Sequence, residues 1–238
     1  MVKDGIIVLG GAHKLPVNDI RFIEEYIPFY GKLHLGEQEL LMSSITWQVI
    51  NKGEKISKQT DKCSGLVLVK QGRIRAYIMS EDGREITLFR LSEKDICLLS
   101  AFCLFDNLDF TVHFAVEKES IIYKIPATVF EEISAYNIYV KEYMLETMAS
   151  RFAGAMWVME QVVFGSLSKR VSSFILEQAE FEDSLTLTIT HEEIAKNIGS
   201  AREVVSRMLK HMESEQIINM ARGTIFVNNI EKLKELAK

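Results

Sequence analysis

The organisation of the chain is clearest in residues 189–218, which have the sequence ITHEEIAKNIGSAREVVSRMLKHMESEQII. Thr190, followed three residues later by Glu193, forms a capping box, which predicts that a helix begins at this point. Apolar residues at positions 194, 195 and 198 lie on one side of that helix, and Gly199 ends it. A second amphipathic helix begins at residue 200 or 201. Two short helices around a glycine turn predict a helix-turn-helix.

In the second helix, apolar and polar residues fall on opposite sides. The apolar side carries Val205, Met208, Leu209 and Met212, and the polar side carries Arg202, Glu203, Ser206, Arg207 and Lys210. Two short β-type runs follow, at residues 217–220 and 224–227, joined by a turn that contains Arg222. This hairpin after a helix-turn-helix predicts the wing of a winged helix.

The polar side of the second helix suits contacts with DNA bases. An arginine can donate two hydrogen bonds to guanine, and a carboxylate can accept one from cytosine N4. Arg202 and Glu203 lie where a recognition helix first enters the major groove, and Ser206 and Arg207 follow one turn later. The alternative is an ordinary i,i+4 ion pair between Glu203 and Arg207 on a solvated helix, which contributes only about 0.3 kcal/mol. Composition alone does not separate these interpretations.

Short strands dominate an earlier part of the chain, where six of the 13 glycines lie between residues 31 and 83. The predicted strands are residues 44–50, 65–69, 73–79, 86–89, 110–116 and 120–125. We expect a turn at Gln71-Gly72 and a hairpin at residues 81–83. Apolar and polar residues alternate along residues 73–79, which predicts that Ile74 is buried and that Arg73 and Arg75 are exposed to solvent. Such spacing favours a β-sandwich or a jelly roll.

A helical pattern begins at Ala127 and continues for about forty residues. Its apolar stripe is formed by Val140, Met144, Met148, Phe152, Ala155, Met159 and Val162. A helix of roughly 25 residues extends for about 37 Å, more than a small β domain can cover. We therefore predict a dimer seam along this stripe, the alternative being packing on the chain's own barrel. The predicted domains are a sensor domain at 1–135, a dimerisation helix at 136–165 and a DNA-binding domain at 166–238.

Composition narrows the class of protein further. The 238 residues have a net charge of −5, so nucleic-acid affinity has to come from local cations. The apolar run at residues 6–9 is too short for a signal peptide, and residues 96–105 are too short to span a membrane. With three sparse cysteines, the sequence favours the cytoplasm and no membrane contact. Five scattered histidines and the lack of a P-loop or G-x-S-x-G motif argue against an enzyme and a metal site.

Two segments resemble the CRP/FNR family of bacterial transcription regulators. Residues 189–218 contain the family's Arg-Glu-x-x-x-Arg pattern, and residues 65–91, GLVLVKQGRIRAYIMSEDGREITLFRL, are similar to its strand-turn-strand. The resemblance implies an α+β homodimer with an N-terminal cyclic-nucleotide-binding-like jelly roll, a long dimerisation helix and a C-terminal winged helix. It places Arg202, Glu203 and Arg207 at base-contacting positions, and Ser206 gives the form found in the FNR-type branch. Double-stranded DNA and RNA polymerase are the implied partners.

The effector is not identified by this resemblance. Cyclic-nucleotide binders of the fold use a Gly-Glu pair and an Arg-Ser-Ala segment, but residues 96–115, ICLLSAFCLFDNLDFTVHFA, contain neither glycine nor arginine. Oxygen-sensing relatives use four cysteines, three near the N-terminus, whereas this chain has none before Cys63. We therefore expect neither a cyclic nucleotide nor that iron–sulfur cluster. Cys97, Cys103 and His113 could form a redox or metal site or simply be buried, and a hydrophobic effector fits the apolar surroundings equally well.

These observations predict an effector-responsive regulator whose two recognition helices lie about 34 Å apart and bind a palindromic operator. Effector binding would re-angle the long helix. Phosphate contacts are expected from Thr190, His191, Ser200 and Arg222. The alternative function is a redox- or metal-sensing barrel protein whose helical tail is only an interaction module. Such a protein would have no reason to carry the face formed by Arg202, Glu203 and Arg207.

Overall fold

The computed structural model describes residues 17–56, 65–98 and 111–238. The helices are α1 (Val17–Tyr26), a 3-10 turn (Tyr30–Lys32), α2 (Leu35–Ser44), α3 (Ala127–Tyr136), α4 (Ile138–Val163), α5 (Leu167–Glu182), α6 (His191–Ile198), α7 (Arg202–Ser214) and α8 (Ile230–Leu236). The strands are β1 (Thr46–Ile50), β2 (Lys55–Ile56), β3 (Leu66–Met79), β4 (Glu85–Leu91), β5 (Ile96–Cys97), β6 (His113–Ile125), β7 (Thr186–Leu187), β8 (Ile218–Ala221) and β9 (Thr224–Val227). The predicted α+β class, with an N-terminal jelly-roll-like sheet, a long helix and a C-terminal winged helix-turn-helix, is confirmed.

The chain divides into two compact units. Among the described residues, one contains those up to Ala76 together with those from Arg90 to Phe152, and the other contains Tyr77–Phe89 and Ala153–Lys238. Each unit has its own apolar core: Leu41, Leu66 and Phe130 belong to the first, and Ile175 and Leu209 to the second. In the large antiparallel sheet the strand order is β1-β6-β3-β4, with β2 paired to β6 and β5 paired to β3.

The predicted turn at Gln71-Gly72 is wrong, because β3 runs without interruption through both residues. Gly72 has a φ of +110°, and a Cβ atom there would lie 2.2 Å from Oγ of Ser120 and 2.5 Å from the backbone oxygen of Glu119. The glycine is needed where β3 approaches β6 closely, as isolated glycines inside strands often are. The hairpin predicted at residues 81–83 does form, since the amide of Ser80 donates to the backbone oxygen of Arg84 at 2.9 Å.

The alternation in β3 predicted a solvent-exposed face that the structure does not have. Arg73 is 3% exposed and Arg75 is 7% exposed, so both faces of the strand are covered at this level. Glu117 on β6 lies within ion-pair distance of two guanidinium groups, 3.2 Å from Arg73 and 3.0 Å from Arg90. Charge neutralisation of this kind makes buried arginines tolerable, and apolar periodicity alone cannot reveal it.

The forty-residue helix is divided in two by Asn137. This residue is buried, has an extended backbone, and lies between α3 and α4. Its side-chain amide donates to the backbone oxygen of Lys32 at 3.2 Å and to the Glu37 carboxylate at 2.8 Å. Its side-chain oxygen accepts from the amide of Tyr139 at 3.1 Å, which satisfies a donor in the first turn of α4. The polar partners of Asn137 therefore set the break.

In the C-terminal region, α5 to α8 pack around a small sheet with the order β7-β9-β8. Strands β8 and β9 are antiparallel neighbours, with Ala221 paired to Thr224, and they form the predicted wing. Among the described residues, no helix combines the length and the hydropathy needed to cross a membrane.

Candidate nucleic-acid interface

The first helix of the helix-turn-helix begins with the predicted capping box. The hydroxyl of Thr190 accepts from the amide of Glu193 at 3.2 Å, and the Glu193 carboxylate accepts from the amide of Thr190 at 2.7 Å. The Thr190 hydroxyl also donates to that carboxylate at 2.8 Å. This hydroxyl, which the sequence offered as a phosphate contact, is thus already occupied by helix capping.

The turn between the two helices is fixed at its glycine and by a neighbouring helix. Gly199 has a φ of +66°, the left-handed conformation typical of a helix C-cap. One carbonyl at the end of α6 is also capped from outside, because the Arg170 guanidinium of α5 donates to the backbone oxygen of Ile198 at 2.9 Å. Burial lowers the pKa of Arg170. These contacts give α7 a defined starting point.

The polar face of α7 is exposed at the positions that the sequence singled out. Arg202, Glu203 and Arg207 are all exposed, whereas Val205 and Leu209 on the opposite side are completely buried. The side chains of the three charged residues form no hydrogen bond or ion pair with the part of the chain that the structure describes. In particular, the i,i+4 ion pair between Glu203 and Arg207 is not formed. Their polar groups therefore point into solvent, where a ligand can reach them.

Ser206 is half-buried, unlike its charged neighbours, and contacts the other helix of the motif. Its Oγ lies 2.8 Å from Nδ1 of His191, the first residue of α6. Burial lowers the pKa of His191, and the nearby cations Arg202 and Lys210 lower it further. The imidazole is therefore neutral at pH 7.

A cleft of about 450 Å³ lies between the start of α6, the start of α7 and the turn of the wing. Its lining includes His191, Arg202, Arg222 and Gly223. Arg222 is exposed in the wing turn, and Ser200 lies in the turn before α7, half-buried. Two guanidinium groups and a helix N-terminus outweigh Glu192, the one carboxylate among the described lining residues, so the cleft suits an oxyanion such as a phosphate.

Two family profiles match the chain. The profile described as a cyclic nucleotide-binding domain matches residues 47–137, and that described as a Crp-like helix-turn-helix domain matches residues 169–236. A solved structure assigned to the CRP/FNR regulators, from Eubacterium rectale, is 40% identical, with 90% of this chain and 99% of that chain covered and a TM-score of 0.86. This chain belongs to the CRP/FNR family of transcription regulators.

More distant relatives agree with this assignment. The fumarate and nitrate reduction regulatory protein of Yersinia pestis is 24% identical over 97% of this chain and 93% of its own length. The cAMP-activated global transcriptional regulator Vfr of Pseudomonas aeruginosa is 23% identical over 70% of this chain and 82% of its own length. Family membership favours a DNA-binding regulator over a barrel protein with an interaction tail, and over an enzyme.

The apolar residues of α4 divide into a buried set and an exposed set. Val140 is 0% exposed and belongs to the core of the first unit, against which Met144 also packs. The prediction that Val140 lines a dimer seam is therefore wrong, because the start of α4 packs on the core of the first unit of the same chain. Met148 and Val162 are half-buried and Ala155 is exposed. The large apolar side chains that α4 leaves exposed are Ile138, Tyr139, Leu145, Phe152, Met156, Trp157, Met159 and Val163.

The residues considered as an effector site are only partly described. Cys97 is a buried thiol at the end of β5, whose backbone pairs with Val67 of β3. His113 is half-buried and begins β6, and Cys103 lies outside the described residues. Across residues 17–56, 65–98 and 111–238, no cluster of three or more histidine, cysteine and acidic residues is arranged to hold a metal.

The contacts of the β3–β4 hairpin within the second unit could not be predicted from the sequence. Ile86 forms a backbone bridge with Ile198, and the Thr87 hydroxyl donates to the side-chain oxygen of Asn197 at 2.9 Å. The hairpin therefore contacts the end of α6 while the polar face of α7 stays exposed. A pairing between residues 110 positions apart leaves no local pattern in the sequence, so only the folded chain could show it.

Proposed function

We propose that this CRP/FNR-family regulator acts as a homodimer whose two α7 helices bind successive major grooves of a palindromic operator. The observation that carries the proposal is the exposed face of α7, on which Arg202, Glu203 and Arg207 have no intramolecular side-chain partner. In solvent such side chains pay no penalty for breaking an ion pair when they bind DNA. Arg202 and Arg207 donate to guanine O6 and N7, and Glu203 accepts from cytosine N4.

Backbone phosphates supply a second, sequence-independent part of the affinity. We assign them to the cleft beside the wing, where His191 and Arg222 line a space large enough for a phosphate, beside the carboxylate of Glu192 and the base-contacting Arg202. Ser200 lies at the neighbouring turn. Residues 166–238 contain 10 Lys+Arg against 11 Asp+Glu, so non-specific binding to DNA is weak. Each neutralised phosphate still makes binding sensitive to salt.

The homodimer is proposed from the apolar surface of α4. Leu145, Phe152, Met156, Met159 and Val163 are 42–69% exposed and follow one another at steps of three and four once exposed Ala149 is included. This spacing is that of a coiled-coil seam. We name these six residues the α4 seam. Of the stripe predicted from the sequence, the α4 seam keeps Phe152 and Met159 and leaves out Val140, Met144, Met148, Ala155 and Val162.

For the effector we propose a molecule other than a cyclic nucleotide of the usual kind, and no four-cysteine iron–sulfur cluster. Residues 96–115 contain no arginine to balance a cyclic phosphate, and no cysteine precedes Cys63. Effector binding in the jelly roll changes operator affinity, with a coupling free energy of about 1 to 3 kcal/mol. RNA polymerase is the further partner expected of such a regulator.

The test begins with selection of a duplex from a randomised library by the full-length protein. Arg207→Ala should then weaken binding to the selected duplex by about 1 to 3 kcal/mol, because a bidentate guanine contact is lost. Lys232→Ala is the matched control, since it removes one exposed positive charge from α8, which is not part of the helix-turn-helix. Equal titration curves for Arg207→Ala and wild type would reject the assigned role.

A further inference from the structure

The contact between His191 and Ser206 joins the cleft to the base-contacting face, and it is the starting point for an inference that rests on the proposed function. Oγ of Ser206 lies 2.8 Å from Nδ1 of His191. Ser206 is on α7, directly before Arg207 and one turn after Arg202 and Glu203. A hydroxyl at this position can both contact a base and remain bonded to the imidazole.

The protonation of the imidazole determines what the Ser206 hydroxyl can offer. A neutral imidazole has one nitrogen that donates and one that accepts. Burial and the cations Arg202 and Lys210 lower the pKa of His191, so the neutral form dominates at pH 7. Arg222 and the carboxylate of Glu192 line the same cleft, so the charged groups that face the imidazole there are Arg202, Arg222 and Glu192. The choice of tautomer therefore depends on what Nε2 contacts.

Nε2 of His191 has no hydrogen-bond partner within residues 17–56, 65–98 and 111–238, and the residue lines the cleft beside Arg202 and Arg222. The oxygens of a DNA backbone phosphate can only accept hydrogen bonds. A neutral imidazole that donates from Nε2 to a phosphate carries its one proton on that nitrogen, so Nδ1 accepts. The Ser206 hydroxyl then donates to Nδ1, and its lone pairs are left for the major groove.

We propose that His191 and Ser206 form a specificity relay, in which a phosphate bound at Nε2 of His191 makes the Ser206 hydroxyl an acceptor for DNA bases. An acceptor at this place selects a base with an exocyclic amine, adenine through N6 or cytosine through N4, over guanine or thymine. His191 is a positioning residue that contacts no base itself. The phosphate contact and the choice of one base are thereby linked in each half-site.

The relay makes His191 and Ser206 act on the same base position. In selections from a randomised duplex, Ser206→Ala should abolish the preference at one position of each half-site and leave the positions contacted by Arg202, Glu203 and Arg207 unchanged. His191→Phe, which keeps a ring but removes both nitrogens, should weaken the preference at that same position. The expected loss is about three- to tenfold in discrimination, as for one hydrogen bond between uncharged groups. Thermal unfolding of each variant checks that it is folded.

A second arm uses the wild-type protein and changes the DNA instead. At the identified position, purine replaces adenine, or pyrimidin-2-one replaces cytosine, so that only the exocyclic amine is lost. Binding by wild type should weaken about three- to tenfold, while Ser206→Ala should bind the two duplexes equally. Replacing the purine N7 by carbon, which removes an acceptor, should not matter to the Ser206 contact.

Three results would overturn the relay. The first is that His191→Phe leaves the base preference unchanged at the position where Ser206→Ala abolishes it. The second is that removal of the exocyclic amine does not weaken binding by wild type. The third is that Ser206→Ala changes the base preference at no position of the half-site. The proposed function fails in a different way, because a wild-type protein that enriches no duplex at all would refute DNA recognition itself.

Discussion

At the scale of single residues, the turn of the helix-turn-helix depends on Gly199. Its φ of +66° is unfavourable for any residue with a Cβ atom. A Cβ there would also lie 2.6 Å from the Ile86 side chain of the β3–β4 hairpin. Gly223 in the wing turn has a similar φ of +72° but no heavy atom within 4 Å of the same position. The two glycines differ therefore in crowding rather than in backbone conformation.

Gly199→Ala should lower the free energy of unfolding more than Gly223→Ala does. The left-handed conformation costs about 1 kcal/mol in both variants, and only Gly199→Ala must also displace Ile86. Chemical denaturation of the full-length protein measures both losses. Adding Ile86→Ala to Gly199→Ala should recover part of the difference, as a double-mutant cycle reports for residues in contact. If both glycine variants lose the same free energy of unfolding, the β3–β4 hairpin can move away from the new Cβ atom at no energetic cost.

Residues on one helix were easier to predict than pairs that meet between helices. The 3.6-residue period is enough to place Arg202, Glu203 and Arg207 on the polar face of α7, because that face is a local property. The bond between His191 and Ser206 spans 15 positions and depends on how α6 and α7 cross. Both residues were predicted to contact DNA, His191 at a phosphate and Ser206 at a base, but the sequence does not predict that they touch.

At the scale of secondary-structure elements, the capping box of α6 gives a prediction that separates two roles of Thr190. Thr190→Ala should lower the free energy of unfolding by about 1 kcal/mol, since the amide of Glu193 loses its acceptor. Thr190→Ser keeps the hydroxyl and should be close to wild type in urea denaturation. If Thr190→Ala is as stable as Thr190→Ser, the cap contributes nothing and the hydroxyl is available for DNA.

Elements were mispredicted where a tertiary contact overrides a local pattern. The pair Gln71-Gly72 predicted a turn, but the glycine is required there because β6 approaches β3 closely. Similarly, Asn137 interrupts an otherwise helical pattern because its side chain has partners at residues 32 and 37, about a hundred positions away. Patterns within a window of ten or so residues contain no information about such partners.

At the scale of the whole molecule, the apolar stripe of the long helix was predicted but its division was not. Val140 and Met144 satisfy the same spacing as Phe152 and Met159, yet the first pair packs on the chain's own core and the second pair stays exposed. Periodicity identifies an apolar face without indicating what covers it. The exposed portion, the α4 seam, is what a second copy of the chain would cover.

Phe152→Glu tests whether the α4 seam joins two copies. Phe152 is 69% exposed and lies in the middle of the seam, so a carboxylate there would be desolvated in a dimer and would face the same charge on the partner. Sedimentation equilibrium should show a dimer for wild type and a monomer for the variant. Ser150→Glu places the same charge about 200° around the helix, on an exposed residue outside the seam, and this variant should remain dimeric.

Loss of the dimer should also change DNA binding. Two linked DNA-binding domains gain about 10²- to 10⁴-fold in avidity over one. The monomeric variant should therefore lose most of its affinity for a palindrome while it binds a single half-site as wild type does. A Phe152→Glu protein that stays dimeric and binds the palindrome normally would place the dimer contact elsewhere on the chain.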